Sequence, residues 1–146
     1  MEHEILEKLK RGCEARGLIY DDIIYEDEID NAIEVVNERS EDYVLNHREE
    51  YDYVTARAVS NLNGLIEICG GLVKKGGYFI CLRGKDGLDE INKALDAIKT
   101  MGFVIDRTWE DRLFNGDKRI ISYFLKNSKT PIKYPRKYYI IKKNPL

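Results

Sequence analysis

The sequence is poor in the residues that mark metal-binding, disulfide-bonded and membrane-spanning proteins. Its three cysteines, Cys13, Cys69 and Cys81, lie far apart and form no C-x-x-C pair, and neither His3 nor His47 has partners at metal-ligand spacing. This pattern argues against a zinc site or a disulfide framework and is typical of a reducing compartment. No apolar run approaches the roughly 18 residues that span a bilayer. We therefore expect a cytoplasmic protein with no metal site and no membrane partner.

No proline occurs before residue 131, and no acidic residue occurs in residues 130–146. All three prolines fall within residues 130–146, a segment with five basic residues, no acidic one and several tyrosines and isoleucines. Residues 1–50 hold 16 acidic and six basic side chains, whereas residues 51–146 hold 10 and 18. This asymmetry suggests a basic face for a polyanion and an acidic face turned away from it. An acidic first half is equally typical of plain solvated surface.

The spacing of apolar residues predicts alternating helices and strands. Helices are predicted at residues 2–17, in a short segment capped by Ser40, at 59–73 and at 88–98. Strands are predicted at 32–37, 51–56, 78–82, 103–109 and 119–125, whereas residues 18–30 fit a short strand or a loop. Gly76 and Gly77 are expected to end the third helix, and Asn115-Gly116 to join the last two strands as an antiparallel pair. Such alternation predicts an α/β sandwich with a largely parallel sheet.

Four stretches taken together resemble one known family. They are VVNERSEDY (residues 35–43), YDYVTARAVSNLNGLIE (51–67), LVKKGGYFICLRGKD (72–86) and TPIKYPRK (130–137). They occur in the order found in the glucose-inhibited division protein B family, also called RsmG, and the likeness covers roughly residue 32 to the C-terminus. The resemblance implies a Rossmann-like class I methyltransferase fold. It also implies small-subunit rRNA as the partner and S-adenosylmethionine-dependent methylation of N7 of a guanine in 16S rRNA.

One part of the family pattern has no counterpart. Family members carry a loop of the form D-x-G-(S/T)-G-x-G-x-P-G that admits the methionine part of the cofactor, whereas before Gly64 this chain has only Gly12 and Gly17. The resemblance thus implies a truncated methyltransferase domain over residues 1–128, without the front half of the S-adenosylmethionine site. Two functions remain open: a shortened, weak methyltransferase, or a non-catalytic RNA-binding remnant or partner subunit of the family.

The strand at residues 51–56 raises a structural question. In the family's sheet it lies between other strands, so without them it would present unpaired backbone groups, which are costly when buried and adhesive when exposed. Residues 32–37 or residues 18–30 could fill the gap. A second chain could also cover it, which would make a homodimer through an exposed sheet edge.

The resemblance assigns roles to residues that follow predicted strands. Arg39, Ser40 and Glu41 fall where the family holds the adenine ring of the cofactor, although Ser40 is equally explained as a helix cap. Arg57 falls where cofactor and RNA meet, and its guanidinium could bind phosphate; the alternative is an ion pair with Glu41 or Asp42. Arg83 stands in the place of a family lysine and could contact RNA phosphate; the alternative is a plain surface arginine.

The C-terminal segment, residues 129–146, is predicted to form a strap packed on the same domain. Pro131 and Pro135 favour an extended path, which Tyr134, Tyr138 and Ile140 could hold across the end of the sheet. Lys133, Arg136 and Lys137 are then expected to bind RNA, with tyrosine available to stack on unpaired bases. The alternative is a strap that buries its aromatic side chains and keeps its lysines outside for solubility.

Overall fold

The computed structural model describes residues 34–57 and 61–146. The chain divides into two compact units, Met1–Asn37 and Glu38–Leu146. In the first, residues 34–37 are exposed and have no regular secondary structure, so the strand predicted at 32–37 is wrong over its described part. The predicted helix at 2–17 and the ambiguous segment at 18–30 lie outside the described residues. The boundary predicted between residues 128 and 129 stays a prediction.

The second unit is built on a four-stranded sheet. Its strands are β1 (Tyr51–Arg57), β2 (Val73–Arg83), β3 (Phe103–Arg112) and β4 (Lys118–Lys126), in the spatial order β1-β2-β4-β3. β1 and β2 are parallel, whereas β4 pairs antiparallel with both β2 and β3. The predicted α/β class, of the partial Rossmann-like type with a C-terminal antiparallel pair, is confirmed; the sheet is mixed, with one parallel pairing among the described strands.

Five short helices accompany these strands in the described residues. They are α1 (Ser40–Tyr43), α2 (Leu62–Gly70), α3 (Gly87–Lys93), α4 (Leu95–Thr100) and α5 (Tyr138–Lys143). α2 ends at Gly70, earlier than predicted, because Gly76 and Gly77 lie inside β2 and not at the end of a helix. Ala94 divides the helix predicted at 88–98 into α3 and α4. None of the described helices is long and apolar enough to cross a membrane.

One face of the sheet carries the core. Phe79 and Cys81 of β2 and Phe124 of β4 are fully buried and pack with Leu62, Ile66 and Ile98 of the helices. The alternation of β4, in which every second residue from Ile120 to Lys126 is buried, reflects this one-sided covering. Side chains of the opposite face are more exposed. Trp109 is 61% exposed there.

Candidate functional site

The residues predicted to face the cofactor adenine lie at the start of α1. Arg39, and not Ser40, occupies the N-cap position, and its side chain makes no capping hydrogen bond. Arg39 Nε instead donates to Glu41 Oε1 over 2.7 Å. Burial raises the pKa of Cys69, on α2, to about 11. The prediction that Ser40 caps α1 is wrong by one position.

A cleft of about 560 Å³ lies between α1 and the strap. It brings together Arg39 and Glu41, predicted for the cofactor, with Lys137, predicted for RNA. The Arg39 guanidinium lies 4.4 Å from the centre of the Tyr138 ring, a cation–π distance. Tyr139, 66% exposed, also lines the cleft. The arrangement offers aromatic surface beside charged hydrogen-bonding groups, which suits a planar heterocycle.

Arg57 ends β1 and is exposed to solvent. It lies opposite Leu82 in the parallel pair, so it stands at the carboxyl ends of the two strands, where ligands bind in open α/β sheets. Among the described residues no ion pair of Arg57 occurs, and Glu41 pairs with Arg39. The alternative in which Arg57 pairs with Glu41 is therefore not observed.

Arg83 does not present its charge to solvent. It is only 4% exposed, and its Nε and Nη2 donate to the two carboxylate oxygens of Glu90 over 2.9 and 2.5 Å. This bidentate pair fastens the end of β2 to α3. The expectation of an RNA phosphate contact by Arg83 conflicts with this burial, because the guanidinium is already committed to a carboxylate inside the fold.

Arg136 is likewise engaged inside the protein. Its Nε and Nη2 each donate over 2.8 Å to the carboxylate of Glu67, and its backbone amide donates to the same carboxylate over 3.0 Å. Glu67 lies on α2 and is completely buried. Arg136 therefore neutralises a buried charge and fixes the strap to α2. This pairing argues against the predicted contact between the Arg136 guanidinium and RNA.

Two further residues, Arg48 and Glu49, hold the strap, and Lys126 joins the end of β4 to α2 and β2. The sequence reasoning missed all three. Arg48 donates through Nη1 and Nη2 to the carbonyl oxygen of Tyr134, both over 2.8 Å. Glu49 accepts a hydrogen bond from the backbone amide of Thr130. Lys126 is completely buried and donates to the carbonyl oxygens of Gly70 and Val73. One signal was available, because strict alternation along β4 places Lys126 on the buried face.

The strap has two parts instead of one extended path. The segment before α5 is irregular, with Tyr134 buried in the core, whereas residues 138–143 are helical. The extended conformation expected across Tyr138 and Ile140 is therefore wrong. A short helix allows Ile141 to be buried on α2 while its lysine neighbours stay in solvent.

The strap runs antiparallel to α2. Its positive charge therefore extends toward the start of α2, which follows the carboxyl end of β1 in the chain. Arg136 contacts Glu67, whereas the carbonyl oxygen of Leu146 accepts a hydrogen bond from Asn63, near the start of the same helix. Exposed lysines accompany this course, at positions 133, 137, 142 and 143. The strap therefore buries a tyrosine and keeps its lysines in solvent, and both alternatives drawn from the sequence require this arrangement.

The mixed α/β sheet, with one parallel strand pair and helices packed on its buried face, is of the partial Rossmann-like type. Residues 23–109 match the profile of the family described as rRNA small subunit methyltransferase G. The chain belongs to that family, and the resemblance drawn from the motifs is confirmed. The described residues contain no cluster of three or more potential metal ligands.

Several curated relatives carry the name ribosomal RNA small subunit methyltransferase G. The protein of Thermotoga petrophila is 38% identical over 114 residues, covering 78% of this chain and 50% of the relative. That of Lysinibacillus sphaericus is 40% identical over 114 residues, covering 76% and 48%. A Clostridium botulinum relative is 35% identical over 145 residues, covering 97% and 59%. The chain thus spans about half the length of the relatives it matches.

Proposed function

We propose that this chain is an S-adenosylmethionine-dependent methyltransferase acting on N7 of a guanine in small-subunit (16S) rRNA, with weak activity on its own. Membership of the rRNA small subunit methyltransferase G family supports the substrate class. The observation that carries the proposal to this chain is Arg57. It is exposed at the carboxyl ends of the parallel strands, with no ion pair to another described residue, and is free to bind a phosphate or a base.

The chemistry asks little of the protein beyond positioning. N7 of guanine already carries a lone pair, so attack on a sulfonium methyl group needs no general base and catalysis comes from alignment and exclusion of water. S-adenosylmethionine, when bound, supplies the electrophilic methyl group. Arg57 would bind the RNA at the carboxyl ends of the parallel strands.

Part of a cofactor site fits the described residues. Glu41 can accept a hydrogen bond from an adenine amino group, and the Tyr138 ring, already beside Arg39, offers a stacking surface. The cleft volume of about 560 Å³ is in the usual range for small-molecule sites. For the methionine end of S-adenosylmethionine the described residues offer no glycine-rich loop. This incomplete fit is the reason that weak activity is proposed.

A second function, RNA binding without methyl transfer, is favoured by one observation. The sequence contains no match to the family's glycine-rich loop, and among the described residues no strand pairs with the outer edge of β1. In this case the chain would act as a partner subunit, with the cofactor loop supplied by another polypeptide. A homodimer through an exposed sheet edge is part of the same proposal, and the described sheet has two such edges, β1 and β3.

Calorimetry with S-adenosylmethionine separates the two functions. Binding tighter than high micromolar, together with transfer of a labelled methyl group to a guanine of small-subunit rRNA, would support the enzyme. Binding of that RNA with no heat from the cofactor and no methyl transfer would leave the non-catalytic function. If neither the cofactor nor the RNA binds, both proposals are wrong.

Arg57→Ala tests the residue that carries the proposal. We expect weaker RNA binding and slower methyl transfer with an unchanged melting temperature, because the side chain is exposed. Lys75→Ala is the matched control, since Lys75 is exposed on the same sheet near the amino ends of the parallel strands. Equal effects of the two variants on RNA affinity would refute a specific role for Arg57.

The strap lysines are tested through salt dependence. Lys137→Ala should lower the slope of log affinity against log salt by about 0.7, the value for one contact with single-stranded nucleic acid. Lys99→Ala, which removes an exposed lysine from α4, is the control. An unchanged slope for Lys137→Ala would remove the strap from the RNA surface. Arg136 is unsuitable for this test because its charge is balanced by Glu67.

A further inference from the structure

β3 is an uncovered edge of the sheet. It pairs with β4 on one side, and no described strand pairs with its other side. All of its residues except Phe103 are exposed, including Trp109 at 61%. Beyond its end, Phe114 in the hairpin turn is fully exposed. A long edge of this kind, with free backbone groups and exposed apolar side chains, is a template for pairing with another strand.

The sequence of this edge is self-complementary in one antiparallel register. When two copies of β3 are paired about Trp109, Arg107 of one copy lies opposite Asp111 of the other, and the reverse pair also forms. Arg107, Trp109 and Asp111 all lie on the same face, because their partners on β4 alternate regularly: Tyr123, Ile121 and Arg119. The stretch from Arg107 to Asp111 is free of the irregularity that lies between Ile105 and Arg107.

Neighbouring registers lack this match. Pairing about Thr108 places Arg107 opposite Trp109, so that no opposite charges face each other over the regular stretch. The same operation on the other free edge, centred on Val54 of β1, places Asp52 opposite Ala56 and brings no opposite charges together. The charges on β3 thus favour one register of self-pairing, whereas those on β1 favour none of this kind.

We propose that two copies of this chain associate through antiparallel pairing of their β3 strands about Trp109. The two four-stranded sheets then form one continuous eight-stranded sheet. The β1 edges remain at its two ends, so the dimer leaves the carboxyl end of β1 and Arg57 unobstructed. The sequence left open a homodimer through the edge of β1, and the charge pattern assigns self-association instead to the opposite edge.

Charge exchange tests the pairing. In sedimentation velocity the wild-type chain should show a dimer whose fraction rises with concentration. Asp111→Arg turns both cross-copy pairs repulsive and should weaken association about tenfold or more. Arg107→Asp should do the same, and the double exchange Arg107→Asp with Asp111→Arg should restore the dimer. Asp96→Arg, an equal charge change on exposed α4, should leave association unchanged.

Arg107 also contacts the ring of Tyr123 at 4.3 Å, so its variants require a check of folding by circular dichroism and thermal melting. Restoration by the double exchange cannot come from misfolding, because that variant contains both substitutions. A monomer at every concentration would overturn the proposal. It would mean that the charges on β3 only discourage strand pairing at this edge. Failure of the double exchange to restore the dimer would overturn it as well.

A disulfide fixes the register independently. Only the residue on the two-fold axis lies opposite itself, at a Cα separation of about 4.5 to 5.5 Å, which a disulfide can bridge. In a Cys13→Ser background, Trp109→Cys should therefore give an oxidised dimer. Arg107→Cys should not, because its two copies would lie about 13 Å apart. Cross-linking at position 107 and not at 109 would refute this register.

Discussion

The pair formed by Glu67 and Arg136 supports a strong prediction about stability. Glu67 is completely buried, and its carboxylate receives three hydrogen bonds from residue 136, two from the guanidinium and one from the backbone amide. The Arg136 side chain is 25% exposed. Arg136→Ala therefore leaves a buried carboxylate with one backbone hydrogen bond and no compensating charge.

The expected cost follows from this geometry. Removing one partner of a buried ion pair costs about 3–5 kcal/mol. The lower end of this range applies, because the retained amide of residue 136 still donates and the arginine side chain is partly in water. A loss of about 3 kcal/mol corresponds to a fall in melting temperature of roughly 10 °C for a chain of this size. Glu67→Gln removes the charge but keeps an acceptor and should cost only about 1–2 kcal/mol.

The measurement is urea unfolding of the two single variants and of the double variant. In Arg136→Ala with Glu67→Gln no buried charge is left unpaired, so the double variant should lose less than the sum of the single losses, by about 1 kcal/mol or more. Lys137→Ala is the matched control, because its exposed neighbouring side chain should change stability by no more than about 0.5 kcal/mol. Losses below about 1 kcal/mol for Arg136→Ala, or strict additivity, would refute the role of this pair in holding the strap.

Two further predictions concern the interior. Burial lowers the pKa of Lys126 to about 8, so the unfolded chain binds more protons between pH 8 and the ordinary lysine pKa, and this group makes stability rise with pH. The stability of wild type relative to Lys126→Met should therefore increase by about 1 kcal/mol from pH 8 to 9, and a flat difference in urea unfolding would contradict it. Gly77→Ala should destabilise the chain, since a Cβ would lie 2.5 Å from the carbonyl oxygen of Asp52, whereas Gly84→Ala meets nothing within 4 Å. Similar melting temperatures for the two alanine variants would show that β1 and β2 do not approach as described.

Much of the fold could be predicted because its signals are local. The apolar run of β2, the Asn115-Gly116 turn and the alternation of β4 each report on a few neighbouring residues, and the antiparallel pair formed where they indicated. The errors arose where contacts between residues far apart in the sequence decide the local structure. Gly76 and Gly77 look like a helix end, yet they lie within β2 beside β1. The strap was predicted as extended at Tyr138, but packing of Ile141 on α2 makes that part helical.

The candidate site likewise has features that the sequence could predict and features that it could not. The motifs were sufficient to identify the family and to point to Arg57, because a residue that follows a predicted parallel strand must lie at the ligand-binding end of the sheet. They could not separate surface arginines from buried ones. The residues next to Arg83 and Arg136 in the sequence are of the same types as those next to solvent-facing basic residues. Both arginines nevertheless form bidentate pairs with glutamates.

The sequence by itself determined the order of β1 to β4, the antiparallel pair and the membership of an rRNA methyltransferase family, since each follows from short patterns of residue type. Only the tertiary structure decided which positive charges remain available for a polyanion. Arg136 finds its carboxylate at Glu67, and Lys126 its carbonyl partners at Gly70 and Val73, more than fifty positions away along the chain. Such pairings depend on how the elements pack, and no spacing within the sequence encodes them.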